Sequence, residues 1–219
     1  MKTCIVVDGV SKRFKDTIVL NEVGLEVKEG TIVGIIGCNG SGKTMLMKII
    51  CGLVKPSSGT VWVQGKQIGK EIDFPENIGL IIETPGFINF QSGYTNLKNL
   101  AQMQGKITDK EIKDTMELVG LDPNNKKWVG KYSLGMRQRL GIAQAIMEQP
   151  DVILLDEPMN GLDKKGVALV REILLELKRS GKTILLASHN MEDIKILCDE
   201  VYEIDEGILS KCEEMGGEE

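Results

Sequence analysis

The sequence predicts an α/β fold: a mainly parallel sheet, an antiparallel β-rich N-terminal part and an inserted helical segment. Three observations carry that prediction. A short apolar strand, Thr31-Ile32-Val33-Gly34-Ile35-Ile36, runs into a glycine loop and from there into an apolar helix starting near Met45. Two later runs, Val152–Leu155 and Thr183–Ala187, lack the alternation of half-exposed strands, as expected of strands buried on both faces. Between residues 85 and 149 the pattern turns helical. The 219 residues therefore read as one domain, with 1–84 and 150–219 as the α/β core and 85–149 as a helical insertion.

In chain order, residues 3–8, 17–27, 31–36 and 59–64 read as β-rich, with turns at Lys28-Glu29-Gly30 and Pro56-Ser57-Ser58-Gly59. Ser11-Lys12-Arg13-Phe14-Lys15 reads as a polar loop carrying one aromatic. Phe14 suits either stacking on a purine or the edge of the core, and its position alone favours the core. Ile78–Ile82 is the next strand, ended by Glu83-Thr84-Pro85-Gly86, where Pro85 disfavours regular structure. Thr108 and Glu111 make a capping box for a helix through Val119, which Gly120 stops. Asp122-Pro123-Asn124-Asn125 is a loop. Ser133 caps a further helix with Leu140, Ile142, Ala143, Ile146 and Met147 as its apolar positions. After the strand at 152–155, a helix over Lys164–Arg179 stops at Gly181. The strand Thr183–Ala187 ends at Ser188-His189, and Asn190 and Asp193 start another helix. Val201–Ile204 and Ile208-Leu209 form a closing hairpin around Glu206-Gly207. The acidic tail, Glu213 to Glu219, is expected to fray.

The glycine loop, Gly37-Cys38-Asn39-Gly40-Ser41-Gly42-Lys43-Thr44, fits the P-loop pattern, and it has the strand before and helix after that the pattern requires. Gly37, Gly40 and Gly42 allow a tight turn that brings backbone N–H groups against an anion. The helix N-terminus adds unpaired donors and a partial positive charge. Lys43 can reach outer phosphates, and the Thr44 hydroxyl can bind Mg2+, a hard cation that prefers oxygen. In an open α/β sheet, ligands sit beyond the carboxyl ends of the strands. Three predicted strands end there in polar residues: at Gly37, at Asp156-Glu157 and at Ser188-His189. Asp156 suits a metal. Glu157, pointing elsewhere, can orient and deprotonate a water. His189, the only histidine, can donate to a terminal phosphate and orient that water.

Composition narrows the classes. A net charge of −5 and a pI near 5.2 argue against general nucleic-acid binding, which needs a basic face. No signal peptide is apparent, since Asp8 cuts short the apolar run that follows Met1-Lys2-Thr3. No uncharged apolar run reaches about 18 residues, the length that spans a membrane. The five cysteines, at 4, 38, 51, 198 and 212, show no CxxC or zinc spacing, which suggests reduced cytoplasmic thiols. Cys38 stands in the phosphate loop, where a passive role is favoured over a reactive one.

Tyr132-Ser133-Leu134-Gly135-Met136-Arg137-Gln138-Arg139-Leu140 resembles the signature segment of ABC-type ATPases and lies, as in that family, between the P-loop and the strand ending in Asp156. Met159-Asn160-Gly161-Leu162-Asp163 looks like the family's D-loop, and Ser188-His189 like its switch histidine. The resemblance covers nearly the whole chain. It implies a RecA-like P-loop NTPase core that binds ATP with Mg2+, and it matches Phe14 to the aromatic that stacks on adenine. It also implies head-to-tail pairing with an identical or different ATPase subunit. Ser133 and Gly135 of one subunit then cap the ATP held by the other, with Asp163 at the same junction. The driven permease would be separate integral-membrane subunits, which places this chain in the cytoplasm, peripheral to the inner face of the membrane.

Two departures from the family pattern are informative. Glu83 stands where most members have glutamine. It remains a candidate metal ligand but adds a charge near the phosphates. Leu134 and Met136 replace glycine and glutamine of the signature. Glu83-Thr84-Pro85-Gly86-Phe87 and Ser133–Leu140 resemble the subgroup of bacitracin and lantibiotic self-protection exporters, implying export of, or resistance to, a peptide antibiotic. The competing expectation is a soluble ABC-type mechanical ATPase uninvolved in transport. It would predict a coiled-coil insertion, a second ATPase half or a basic face, and none is visible in the sequence. A third, a small metabolite kinase, is disfavoured by Glu157 and the signature segment.

Overall fold

A computed structural model describes residues 2–212, and the acidic tail read above lies outside the described residues. Four strands form an antiparallel sheet: β1 (Thr3–Phe14), β2 (Thr17–Lys28), β4 (Ser58–Val63) and β5 (Lys66–Gln67), in the order β2-β1-β4-β5. Six form the second sheet: β3 (Ile32–Ile36), β6 (Ile78–Ile81), β7 (Val152–Asp156), β8 (Thr183–Ala187), β9 (Glu200–Asp205) and β10 (Ile208–Lys211). Their order is β10-β9-β3-β8-β7-β6. Every pair from β9 across to β6 is parallel, and β10 returns antiparallel to β9 as the expected hairpin.

All five residues of β3, β7 and β8 are buried, which is why their sequences show no alternation. The pleat deals them to two cores. Val33, Ile35, Val152, Leu154, Leu185 and Ala187 face the antiparallel sheet, and between the two sheets lies α1 (Lys43–Ile50), burying Leu46, Met47, Ile49 and Ile50. Each such side chain contributes about 2 kcal/mol by leaving water, so the helix that carries the phosphate loop is fixed on both sides. Ile32, Ile36, Ile153, Leu155, Ile184 and Leu186 face the opposite core. That core is closed by α2 (Gly93–Gln104), α3 (Asp109–Leu118), α4 (Leu134–Ile146), α5 (Lys164–Arg179) and α6 (Met191–Leu197). Helix α4 lies close on β6: a Cβ on Gly79 would sit 1.9 Å from the Ala145 carbonyl oxygen, so that position admits only glycine.

Several local expectations hold. Thr108 and Glu111 form the capping box of α3, and Ser133 caps α4 by accepting from the Met136 N–H. Others are corrected. Residues 11–14 are not a loop. They continue β1 through a bulged pairing with β2, and ladder bonds override the low strand propensity of Lys12 and Arg13. Phe14 is consequently 49% exposed at the strand end, not in the core. The helical pattern begins at Gly93, not directly after Pro85. Residues before it are held by the buried Asn96 side chain, which accepts from the Ile88 N–H and donates to the Ile88 and Ser92 carbonyls. Asn190 alone caps α6. Asp193 instead lies fully buried, its Oδ1 2.6 Å from Arg171 Nη2 on α5.

Candidate functional site

Strand order gathers the site. The neighbours β3, β8, β7 and β6 run parallel, so their carboxyl ends lie side by side and present Gly37, His189, Asp156-Glu157 and Glu83 along one edge. The phosphate loop and the ends of β6 and β7, far apart in sequence, line one open cleft of about 600 Å³ together with Leu134, Arg137 and Gln138 of α4. Asn39, Gly40, Gly42, Lys43 and Thr44 line it from the loop, Glu83, Asp156 and Glu157 from the strand ends.

The loop geometry depends on Gly37. Its φ of 148° and an imagined Cβ 2.3 Å from the Ile204 carbonyl oxygen exclude any other residue. Gly42 is the N-cap of α1 and supplies no side-chain cap, so the first N–H groups of the helix keep no side-chain partner. Cys38, Asn39 and Gly40 are exposed, whereas Ser41, Gly42 and Lys43 are buried. The Lys43 ammonium donates to the carbonyls of Gly37 (2.6 Å) and Cys38 (2.9 Å), which fixes it inside the loop it serves. Ser41 Oγ is buried without a protein partner. Such an atom in an anion-binding loop fits a bound phosphate oxygen.

The Thr44 hydroxyl donates to Asp156 Oδ2 at 2.5 Å. Among the described residues no three His, Cys, Asp or Glu side chains gather as a metal site. A Thr–Asp pair beside a phosphate loop instead suits magnesium, which takes few protein ligands and fills its shell with phosphate and water oxygens.

Glu157 has φ 51°, a left-handed conformation uncommon for a residue with a side chain. Its backbone is held there: its N–H donates to Ala187 O, and its carbonyl accepts from Gln138 Nε2 and from the Asn160 N–H. One carboxylate oxygen lies 2.9 Å from His189 Nδ1, and the other is buried with no protein partner. A carboxylate tied at one oxygen and unpartnered at the other keeps free capacity to accept a proton. His189 thus reaches the site through Glu157, and its own side chain is 60% exposed.

Phe14, Ser133, Gly135 and Asp163 are not among the residues that line this cleft, although their neighbour Leu134 is. Phe14 is exposed at the end of β1, with the Lys12 ammonium 4.7 Å from its ring centroid. Ser133 is exposed as the cap of α4, Gly135 follows it, and Leu134 is 61% exposed. Asp163 is exposed and caps α5 by accepting from the Gly166 N–H at 2.8 Å. Sequence reasoning missed Lys48 and Arg137, which line the cleft, and the part of Gln138 in holding Glu157. Lys48 carried a signal, since it is four residues after Thr44 and shares its helix face.

Comparison with known proteins agrees. Residues 20–160 match the family model described as ABC transporter. An uncharacterised ABC transporter ATP-binding protein of Bacillus subtilis, YybJ, is 45% identical over 96% of this chain and 97% of its own length. The bacitracin transport ATP-binding protein BcrA of Enterococcus faecalis is 39% identical over 95% of this chain and 68% of its own. The lantibiotic transport ATP-binding protein SrtF of Streptococcus pyogenes is 36% identical over 97% and 92%. Among solved structures, the dimeric ABC transporter cassette MJ0796 superposes with a TM-score of 0.88 at 24% identity, covering 98% of this chain and all of that one. The chain belongs to the ABC transporter family as one of its ATP-binding, ATP-hydrolysing subunits.

Proposed function

We propose that this ATPase powers export of, or resistance to, a peptide antibiotic of the bacitracin or lantibiotic kind, through permease subunits that are separate integral-membrane chains. No helix among the described residues is long and apolar enough to cross a membrane, and in this reading the permease supplies the path. The chain then works in the cytoplasm, docked on the inner membrane face. Support for the substrate class comes from the bacitracin and lantibiotic transport relatives together with the Glu83–Phe87 and Ser133–Leu140 segments. In this reading 1–84 and 150–219 are the catalytic core and 85–149 the helical subdomain.

The observation that carries the catalytic part is the Glu157–His189 contact beside the phosphate loop. Loop N–H groups from Gly37 to Thr44, with Lys43, hold the triphosphate, and Phe14 stacks on the base. Thr44 and Asp156, with Glu83 nearby, would hold magnesium, which would neutralise charge on the phosphate oxygens. Glu157 accepts a proton as water oxygen bonds to the γ-phosphorus. The bond to the bridging oxygen breaks, and ADP and phosphate are released. His189 keeps Glu157 in place. Ser133 and Asp163, both exposed, and the half-buried Gly135 line no part of this cleft and serve the ATP of a second ATPase subunit.

Replacing Lys43 with Ala should abolish ATP binding in calorimetry. In cells expressing the chain and its permease, Glu157→Gln should lower the bacitracin or lantibiotic concentration that stops growth. Unchanged tolerance, or purification without any integral-membrane protein, would oppose the transport reading.

A further inference from the structure

One face of α1 addresses two strand ends. Thr44 and Lys48 are four residues apart, and so lie on the same face of the helix. Thr44 bonds Asp156, the last residue of β7, and the Lys48 ammonium lies 2.6 Å from Glu83 Oε1, just past the neighbouring strand β6. Lys48 is the more enclosed partner, its side chain 25% exposed against 63% for Glu83. Glu83 has φ 60°, a left-handed conformation that turns the chain sharply out of the sheet.

The cleft they line already holds the carboxylates of Asp156 and Glu157, with Lys43 and Arg137 as its other cations. A third carboxylate beside bound triphosphate repels it, and water at the 63% exposed Glu83 weakens that repulsion without removing it. A lysine in contact removes most of that field at its source.

We propose that Lys48 is the positioning residue that lets a carboxylate occupy position 83: it neutralises Glu83 toward the nucleotide and fixes one of its oxygens. This rests on the reading of the cleft as the triphosphate site. The pair is then a functional unit. Lys48 is needed because residue 83 is charged, and it becomes dispensable when residue 83 is neutral. An exposed ion pair contributes little to folding, so its removal leaves the protein folded.

The test is a double-mutant cycle read by calorimetry with ATP, once with Mg2+ and once in EDTA, on the full chain. Lys48→Met should weaken ATP binding by about tenfold, and more in EDTA, where ATP carries more negative charge, than with Mg2+. Lys48→Arg should restore affinity. In a Glu83→Gln background, Lys48→Met should change affinity less than about twofold. Equal losses in both backgrounds, or no loss in either, would overturn the proposal. Failure of the unmodified chain to bind ATP would instead refute the site itself. Thermal melts of each variant separate lost binding from lost folding.

Discussion

The phosphate-loop edge and the exposed cap of α4 are built in opposite ways. At the phosphate loop the charged groups are tied within the chain: Lys43 to two loop carbonyls, Asp156 to Thr44, and Glu157 to His189, while Ser41 Oγ and the second Glu157 oxygen are left unpartnered. Helix α1 beneath it is buried between two sheets. At the start of α4, Ser133 and Leu134 stand exposed, and the hydroxyl of Ser133 accepts only the cap bond from Met136. A local bond network serves chemistry, which needs fixed geometry. A presented helix N-terminus with exposed apolar flanks suits a surface completed by a second molecule. The contrast fits the proposal that one chain holds a binding half-site and presents a lid for the nucleotide of another.

The strongest attempt to break that contrast is Glu157→Gln. Losing the proton acceptor should slow ATP hydrolysis about a thousandfold while leaving ATP affinity within a few-fold, measured by phosphate release and calorimetry. A normal rate would remove Glu157 from its role. Next comes Ser133→Arg. If α4 presents a lid for another subunit's nucleotide, hydrolysis falls about a hundredfold while each chain still binds ATP normally. An equal loss of affinity would place Ser133 in its own chain's site.

Stability offers a third handle. Asp193 is fully buried against Arg171, linking α5 to the helix that follows His189. Asp193→Ala leaves Arg171 short of its buried partner and should cost about 3 kcal/mol, read by urea denaturation. The smallest effect is chemical. Cys38 is the exposed thiol on the phosphate loop, whereas burial pushes the Cys198 thiol up to about 12 and raises those of Cys4 and Cys51. Iodoacetamide at neutral pH should therefore label Cys38 first, and ATP should slow that labelling several-fold. Labelling indifferent to ATP would put Cys38 outside the bound region.

Legibility in the sequence followed the range of the interactions. Strands β3, β7 and β8, the P-loop and the caps at Thr108 and Ser133 are written in residues a few positions apart, and local rules recover them. The strand ends at Gly37, Asp156 and Ser188 could be aligned because parallel sheets place ligands at their carboxyl ends. What stayed hidden are pairings between segments: Lys48 with Glu83 across 35 residues, Gln138 with Glu157 across 19, Arg171 with Asp193 across 22. Each depends on which strands become neighbours, and no periodicity encodes that. Phe14 differs for another reason. Its position alone argued for the core, but the length of the β1–β2 ladder carries it to an exposed strand end, which leaves it free for the stacking role that the resemblance implies.

The most direct measurement is the mass in solution of the Glu157→Gln protein at saturating MgATP, by light scattering, beside the same protein carrying Ser133→Arg. Two half-sites that complete each other predict a dimer for the first, a monomer for the second, and a monomer for both without nucleotide. A Glu157→Gln chain that stays monomeric with ATP bound, or a dimer that forms regardless of Ser133, would contradict the division of labour between the two surfaces.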